Sequence, residues 1–179
     1  GLVIVARDIT RLSNLEQELG ARHQFHNIIG KNSKLQEIYS LLDDLADLET
    51  TVLVTGESGT GKSLIAKALH YSGSRASKPM ITVNCSALPE ELLESELFGH
   101  VRGAFTGAVK DSPGRFQVAQ DGTVLLDEIG DITPRIQLKL LHVLQEREFE
   151  RVGESIPIKM EARLIACTNK NLKEKVRQG

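Results

Sequence analysis

Residues Gly56, Glu57, Ser58, Gly59, Thr60, Gly61, Lys62 and Ser63 spell GESGTGKS, a run that satisfies GxxxxGKS/T and constrains the fold more than any other segment. Before it stands TVLVT (51–55), an apolar, β-branched stretch that reads as a short buried strand; after it SLIAKALHY reads as a helix. A glycine turn between a strand and a helix lets backbone N–H groups face phosphate oxygens while the helix N-terminus adds its positive dipole end. Lys62 then reaches the outer phosphates and Ser63 ligates Mg2+, so the run points to a nucleoside triphosphate site.

The same alternation continues along the chain. A helix with Leu35, Ile38, Leu42 and Leu45 on one face is expected over 34–48, ahead of the first strand. Strands follow at MITVN (80–84), TVLLD (123–127) and ARLIACT (162–168), separated by helices at 89–97 and 134–145. Strands apolar on both faces that alternate with helices predict an α/β fold of three layers, a mostly parallel sheet flanked by helices. No internal repeat or low-complexity segment interrupts it. The opening GLVIVARDIT reads as a short strand ending at Arg7 and Asp8, and Leu12, Leu15 and Leu19 mark a brief connector helix.

Two further places carry chemistry. VLLDEIG is an apolar strand ending in Asp127 and Glu128; opposite a phosphate loop, the strand-end aspartate holds the metal's hydration shell and the adjacent glutamate acts as catalytic base on water. Thr168 and Asn169 end the strand ARLIACT on the side where ligands meet a parallel sheet, so they either sense the terminal phosphate or cap the helix NLKEKV that begins near Asn171. GAFTGA, from Gly103 through Ala104, Phe105, Thr106 and Gly107 to Ala108, is either a mobile loop presenting an apolar tip or a surface turn with Phe105 tucked inward.

Composition excludes several classes. The chain has 179 residues, 40% hydrophobic and 26% charged, and a net charge of −2, which offers no general attraction to nucleic acid or an acidic membrane. Cys85 and Cys167 lie outside any CxxC arrangement and are expected as core residues in a reducing cytoplasm, with neither zinc nor disulfide. No apolar run approaches the roughly 20 residues that cross a bilayer, and no signal peptide is evident.

From about Phe25 to Gly179 the chain resembles the ATPase module of the bacterial sigma-54-dependent transcription activators, members of the AAA+ P-loop NTPases. The phrases that carry the likeness are NIIG (27–30), GESGTGKS, VNCSAL (83–88), ESELFGHVRGAFTGA (94–108), GTVLLDEIGD (122–131) and ERVG (150–153). The resemblance implies an Mg-dependent ATPase that assembles as a ring, a hexamer, in which the loop with Phe105 and Thr106 engages sigma-54 RNA polymerase and ATP turnover opens the closed promoter complex. It further implies that Ile28 and Ile29 line the adenine pocket, that Asn84 hydrogen-bonds Glu128 and switches it, and that Thr168 and Asn169 serve as nucleotide sensor. The segment from Asp131 to Arg135 resembles a second loop that moves with the first. Residues 1–10 resemble the end of a PAS domain and 11–24 its signalling helix, with 25–179 the ATPase core.

The family's arginine fingers, helical lid and DNA-binding helix-turn-helix are expected after Gly179, which makes DNA contact the task of that C-terminal domain and predicts poor ATP hydrolysis by this chain alone. Arg151, Arg163 and Arg177 are expected as salt-bridged surface arginines. Another AAA+ motor, or a nucleotide-dependent scaffold that does not cleave ATP, are the competing readings.

Overall fold

A computed structural model describes residues 24–25, 28–29 and 32–178. The expected N-terminal strand and nearly all of the connector helix fall in residues 1–23, outside the described residues; Gln24, the last linker position, is already in a strand. That strand, β1 (Gln24–Phe25), pairs antiparallel with β2 (Ile28–Ile29). Helix α1 (Ser33–Ala46) follows, its start fixed by Asn32, whose side chain accepts a hydrogen bond from the Lys34 amide at 2.9 Å.

Next come β3 (Val52–Thr55), α2 (Lys62–Ser72), β4 (Met80–Asn84) and α3 (Glu90–Phe98). Short strands β5 (Gly99–His100) and β6 (Ser112–Pro113) then pair antiparallel around the GAFTGA segment. They are followed by α4 (Arg115–Val118), β7 (Thr123–Asp127), a 3-10 turn over Ile129–Asp131 and α5 (Pro134–Glu146), which starts with proline at a position that needs no N–H. A hairpin of β8 (Glu148–Glu150) and β9 (Pro157–Lys159), then β10 (Arg163–Thr168) and α6 (Leu172–Gln178), complete the described chain.

The main sheet has four strands in the order β3-β10-β7-β4, all parallel. Of the strands consecutive in this sheet, β4 pairs with β7 and β7 with β10, while β3 and β4 stand at opposite edges; each parallel pair needs a crossover over a sheet face between its strands. The central strands match the expectation of burial on both faces: β10 is buried throughout and β7 up to Asp127. Strand β3 does not, because it lies at the sheet edge and leaves Leu53 49% exposed. One core layer packs α1 and α2 on the sheet through Leu42, Ala66, Leu69, Leu125 and Ile165; the other packs α3, α4 and α5 through Leu97, Phe98, Phe116, Ile136 and Leu140. The three-layer α/β architecture expected from the alternation is the one observed. Cys85 and Cys167 are both free and buried.

Candidate nucleotide site and the neighbouring loop

Register decides where the site lies. Thr168 at the end of β10 pairs with Thr55 at the end of β3, and Asn84 at the end of β4 pairs with Asp127 at the end of β7. Four strand ends therefore open on one edge of the sheet, the edge from which the glycine turn also departs.

In that turn Gly59 and Gly61 adopt φ of 79° and 88°, a left-handed conformation that costs a glycine little and any β-carbon residue more. Among the described residues their N–H groups donate to no protein acceptor, so they remain available to an anion at the start of α2. Lys62 is only 8% exposed and its Nζ donates to the Glu57 carbonyl at 3.0 Å, which holds the ammonium inside the curl of the loop. Thr60 Oγ1 donates to the same carbonyl at 2.8 Å. Ser58 is exposed.

The metal-binding pair expected from sequence meets directly: Ser63 Oγ donates to Asp127 Oδ2 at 3.1 Å. A hydroxyl and a carboxylate so placed fit Mg2+, which takes few protein ligands and completes its octahedron with water and phosphate oxygens. Glu128 follows with φ 54° and ψ 45°, an uncommon conformation for a residue with a side chain. This turns its carboxylate across the sheet edge, with Oε1 4.0 Å from Lys62 Nζ and Oε2 accepting a long 3.4 Å bond from the Asn169 amide. The Glu128 amide is tied back to Asp127 Oδ1 at 3.0 Å.

Not every expected residue joins this group. Asn84 makes no hydrogen bond to Glu128 here; its Oδ1 accepts from the amide and hydroxyl of Ser86 at 3.0 and 2.9 Å. Thr168 is fully buried and its Oγ1 accepts from the Lys170 amide at 3.1 Å, within the turn after β10. The cap of α6 is Asn171, which accepts from the Glu174 amide at 3.3 Å, and that leaves Asn169 exposed at the site. Ile28 and Ile29 stand in the hairpin just ahead of α1. An apolar cavity of about 550 Å³ opens beside the glycine turn, lined among others by Leu35, Ile38, Leu64 and Gly61.

Behind Glu128 the turn is braced by residues the sequence did not single out. Lys170 forms an ion pair with Asp131, which raises the lysine's pKa, and Lys175 Nζ donates to the Gly130 carbonyl at 2.7 Å. Burial, with the Asp127 charge nearby, pushes the Cys85 and Cys167 thiols up to about 12 on either side of the carboxylates, so neither is a nucleophile at neutral pH.

GAFTGA forms a compact turn rather than an open loop. Gly103 N–H donates to the Ala108 carbonyl at 2.8 Å, with positive φ at Gly103 and Gly107. Phe105 is half-buried edge-on against His100, ring centres 5.0 Å apart, while Thr106 is exposed and Ala108 buried. The Arg102 amide donates to Asp111 at 2.8 Å, which closes the base. The β8–β9 connection is seated against this turn: Val101 N–H donates to Val152 at 3.1 Å, Val152 N–H to Gly99 at 2.9 Å, and Gly153 lies against Ala104. Asp131 to Arg135 runs from the end of the 3-10 turn into the start of α5, with Asp131 paired to Lys170 and Arg135 to Glu94. Arg151 is salt-bridged as expected, to Glu154 at 2.6 Å and Asp111 at 3.8 Å. Arg163 is not a surface residue: it is 2% exposed in β10 and donates to the carbonyls of Leu45 and Ala46 at the end of α1.

With this geometry in view, the family model described as the Sigma-54 interaction domain matches residues 28–179. The chain belongs to this family. A Nif-specific regulatory protein of Herbaspirillum seropedicae is 51% identical over 92% of this chain, which covers 30% of that protein. A structure of NtrX from Brucella abortus in complex with ATP is 31% identical with a TM-score of 0.78, over 94% of this chain and 36% of that one. The P-loop NTPase domain of a sigma-54 transport activator from E. coli, 21% identical with a TM-score of 0.54, shares the fold. This Sigma-54 interaction domain thus has the α/β P-loop NTPase architecture, and the chain spans about a third of the length of the curated relatives it matches. Among its described residues no helix is long and apolar enough to cross a membrane.

Proposed function

We propose that this domain binds and hydrolyses Mg-ATP at the sheet edge and uses the cycle to drive the GAFTGA loop against sigma-54 RNA polymerase in the cytoplasm. The observation that carries the reading is the convergence of Lys62 and Ser63 with Asp127 and Glu128, two segments far apart in the chain, through contacts of 4.0 Å or less. The amides of Gly59 and Gly61 and the Lys62 ammonium receive the β- and γ-phosphates. Ser63 and Asp127 hold magnesium, which supplies charge neutralisation at the phosphates. Glu128 orients and deprotonates the attacking water, its αL backbone turning the carboxylate toward Lys62. Asn84 and Asn169 lie on either side of Glu128 along the strand ends, placed to exchange contacts with it as the terminal phosphate comes and goes. Ile28, Ile29 and the apolar cavity beside the loop accommodate the base.

Phe105 and Thr106 are the contact to sigma-54, presented by a turn whose two glycines allow it to re-form in another shape. The family resemblance supports a self-assembled ring, a hexamer, in which arginine fingers complete the nucleotide site. A separate resemblance supports the end of a PAS-like domain at 1–10 followed by a linker over 11–24, and the family supports DNA binding by a further C-terminal domain.

Calorimetry and turnover assays on the full-length protein test the reading. Lys62→Ala is expected to abolish Mg-ATP binding, and Glu128→Gln to keep binding while lowering hydrolysis by about 100-fold or more. Thr106→Ala should retain turnover and lose promoter opening. Hydrolysis at the wild-type rate in the Gln variant would remove Glu128 from its role.

A further inference from the structure

Glu94 lies on α3 with a side chain only 2% exposed, where an unpaired carboxylate would be strongly disfavoured. Its Oε2 is 2.7 Å from Arg135 Nη2 and its Oε1 2.8 Å from Lys139 Nζ. Both cations stand on α5, one helical turn apart on the same face. Lys139 also sits over the ring of Phe98, the last residue of α3, at 5.3 Å from its centre. Close as Lys139 is, Oε1 gains no well-directed hydrogen bond. Charge, not full hydrogen-bond saturation, holds it.

A buried ion pair seldom stabilises a fold more than apolar side chains of the same volume would, and its best-attested use is to fix register. Around this grip Leu93 and Leu97 share an apolar core layer with Ile136 and Leu140. Such surfaces tolerate a small slide; a carboxylate gripped from two sides does not. The position of the grip matters. Helix α3 runs straight into Gly99 and the stem of the GAFTGA turn, and α5 begins just after the 3-10 turn that follows Glu128.

We infer that Glu94 is a positioning residue that locks α3 to α5, so that a shift of the Glu128 turn is delivered to the stem of the 103–108 loop. The inference rests on the ATPase reading above. Displacement of Glu128 moves the start of α5, Arg135 and Lys139 carry Glu94 with them, and α3 transmits the shift through Phe98 to His100 and Phe105. Removing the grip leaves the nucleotide groove intact and uncouples it from the loop.

The test uses the full-length protein and three readouts: ATP turnover, promoter opening, and hydrogen exchange across residues 99–112 with and without an Mg-ATP analogue. Wild type should show a nucleotide-dependent change in exchange over that segment. In Glu94→Gln, turnover is expected within about twofold of wild type while promoter opening falls by about tenfold and the exchange response disappears, the scale of an ordinary coupling between sites. Lys139→Gln, at a partly exposed position that threatens folding less, should show the same split in weaker form. The inference is overturned if both variants keep the exchange response and promoter opening, or if turnover and opening fall in the same ratio, as loss of folded protein would produce. A wild type that binds no Mg-nucleotide shows no response before any substitution and refutes the ATPase reading itself.

Discussion

Replacing Arg163 with methionine should loosen the fold beside the nucleotide groove by an amount that can be worked out from its contacts. The guanidinium is held inside the protein, with Nη1 and Nη2 each 2.7 Å from a carbonyl of the last turn of α1, Ala46 and Leu45. Those carbonyls belong to the helix end that has no intrahelical donors and carries the negative end of the dipole. Two hydrogen bonds from a charged donor contribute about 1.5–3 kcal/mol each. Burial lowers the Arg163 pKa, so part of that gain is offset by the cost of desolvating the charge, and methionine regains packing. The net loss is about 3 kcal/mol, which for a domain of this size lowers the midpoint of thermal unfolding by about 6–12 °C. Helix α1 also contributes Leu35, Ile38 and Leu42 to the cavity next to Gly56 and Gly61, so affinity for Mg-ATP should fall in parallel. Circular dichroism during thermal and urea unfolding measures the first effect and calorimetric titration the second. Lysine at 163 keeps the charge but cannot fork to two carbonyls, and should lie between the two proteins. A methionine variant within about 0.5 kcal/mol of wild type, the range of an ordinary surface change, would refute the role given to these bonds.

Two further outcomes concern Gly130 and His70. A β-carbon at Gly130 would meet Thr168 Oγ1 at 2.6 Å and Lys170 Cβ at 3.0 Å, so Gly130→Ala should displace the turn after Glu128, costing about 1–3 kcal/mol and lowering turnover more than nucleotide binding; single-turnover kinetics beside calorimetry would separate the two, and unchanged hydrolysis would contradict the bracing seen here. His70 is 1% exposed and bonded to Thr123 Oγ1 at 2.9 Å; desolvation lowers its pKa from the usual 6.5, so the folded state holds it neutral. Unfolding therefore takes up a proton once the pH drops below 6.5, and the stability His70 contributes is present above that pH and lost as the pH falls toward the folded-state value. His70→Gln should flatten the fall in urea midpoint between about pH 7 and pH 5, and an unchanged slope would mean that another group titrates there.

How far the sequence could be read depended on how local each feature is. GESGTGKS was legible because a phosphate cradle requires consecutive residues with a set backbone conformation, and the structure shows positive φ at two of its glycines, Gly59 and Gly61. The α/β alternation was legible because apolar periodicity reports which faces are buried. The hairpin β8–β9 escaped notice, since Glu148–Glu150 and Pro157–Lys159 are too short and polar to show a period. Arg163 escaped for a related reason: its burial depends on α1 ending across from it, more than a hundred positions earlier in the chain. The same holds for Glu94, which by itself looks like any acid on a helix.

The amino-acid order by itself determined the chemistry that a few adjacent residues can hold: a nest of amides with a lysine and a serine, an acidic pair closing an apolar strand, a glycine-flanked phenylalanine. Tertiary structure alone decided which of these meet. Parallel pairing in the order β3-β10-β7-β4 set Ser63 against Asp127 and turned Glu128 toward Lys62, Asn84 settled on Ser86, and a separate bridge from His100 seated Val152 against the stem of the loop. The reason is physical: hydrogen-bond registers and helix packing are settled between segments far apart in the chain, and no local stretch carries the free energy of a contact it does not itself contain.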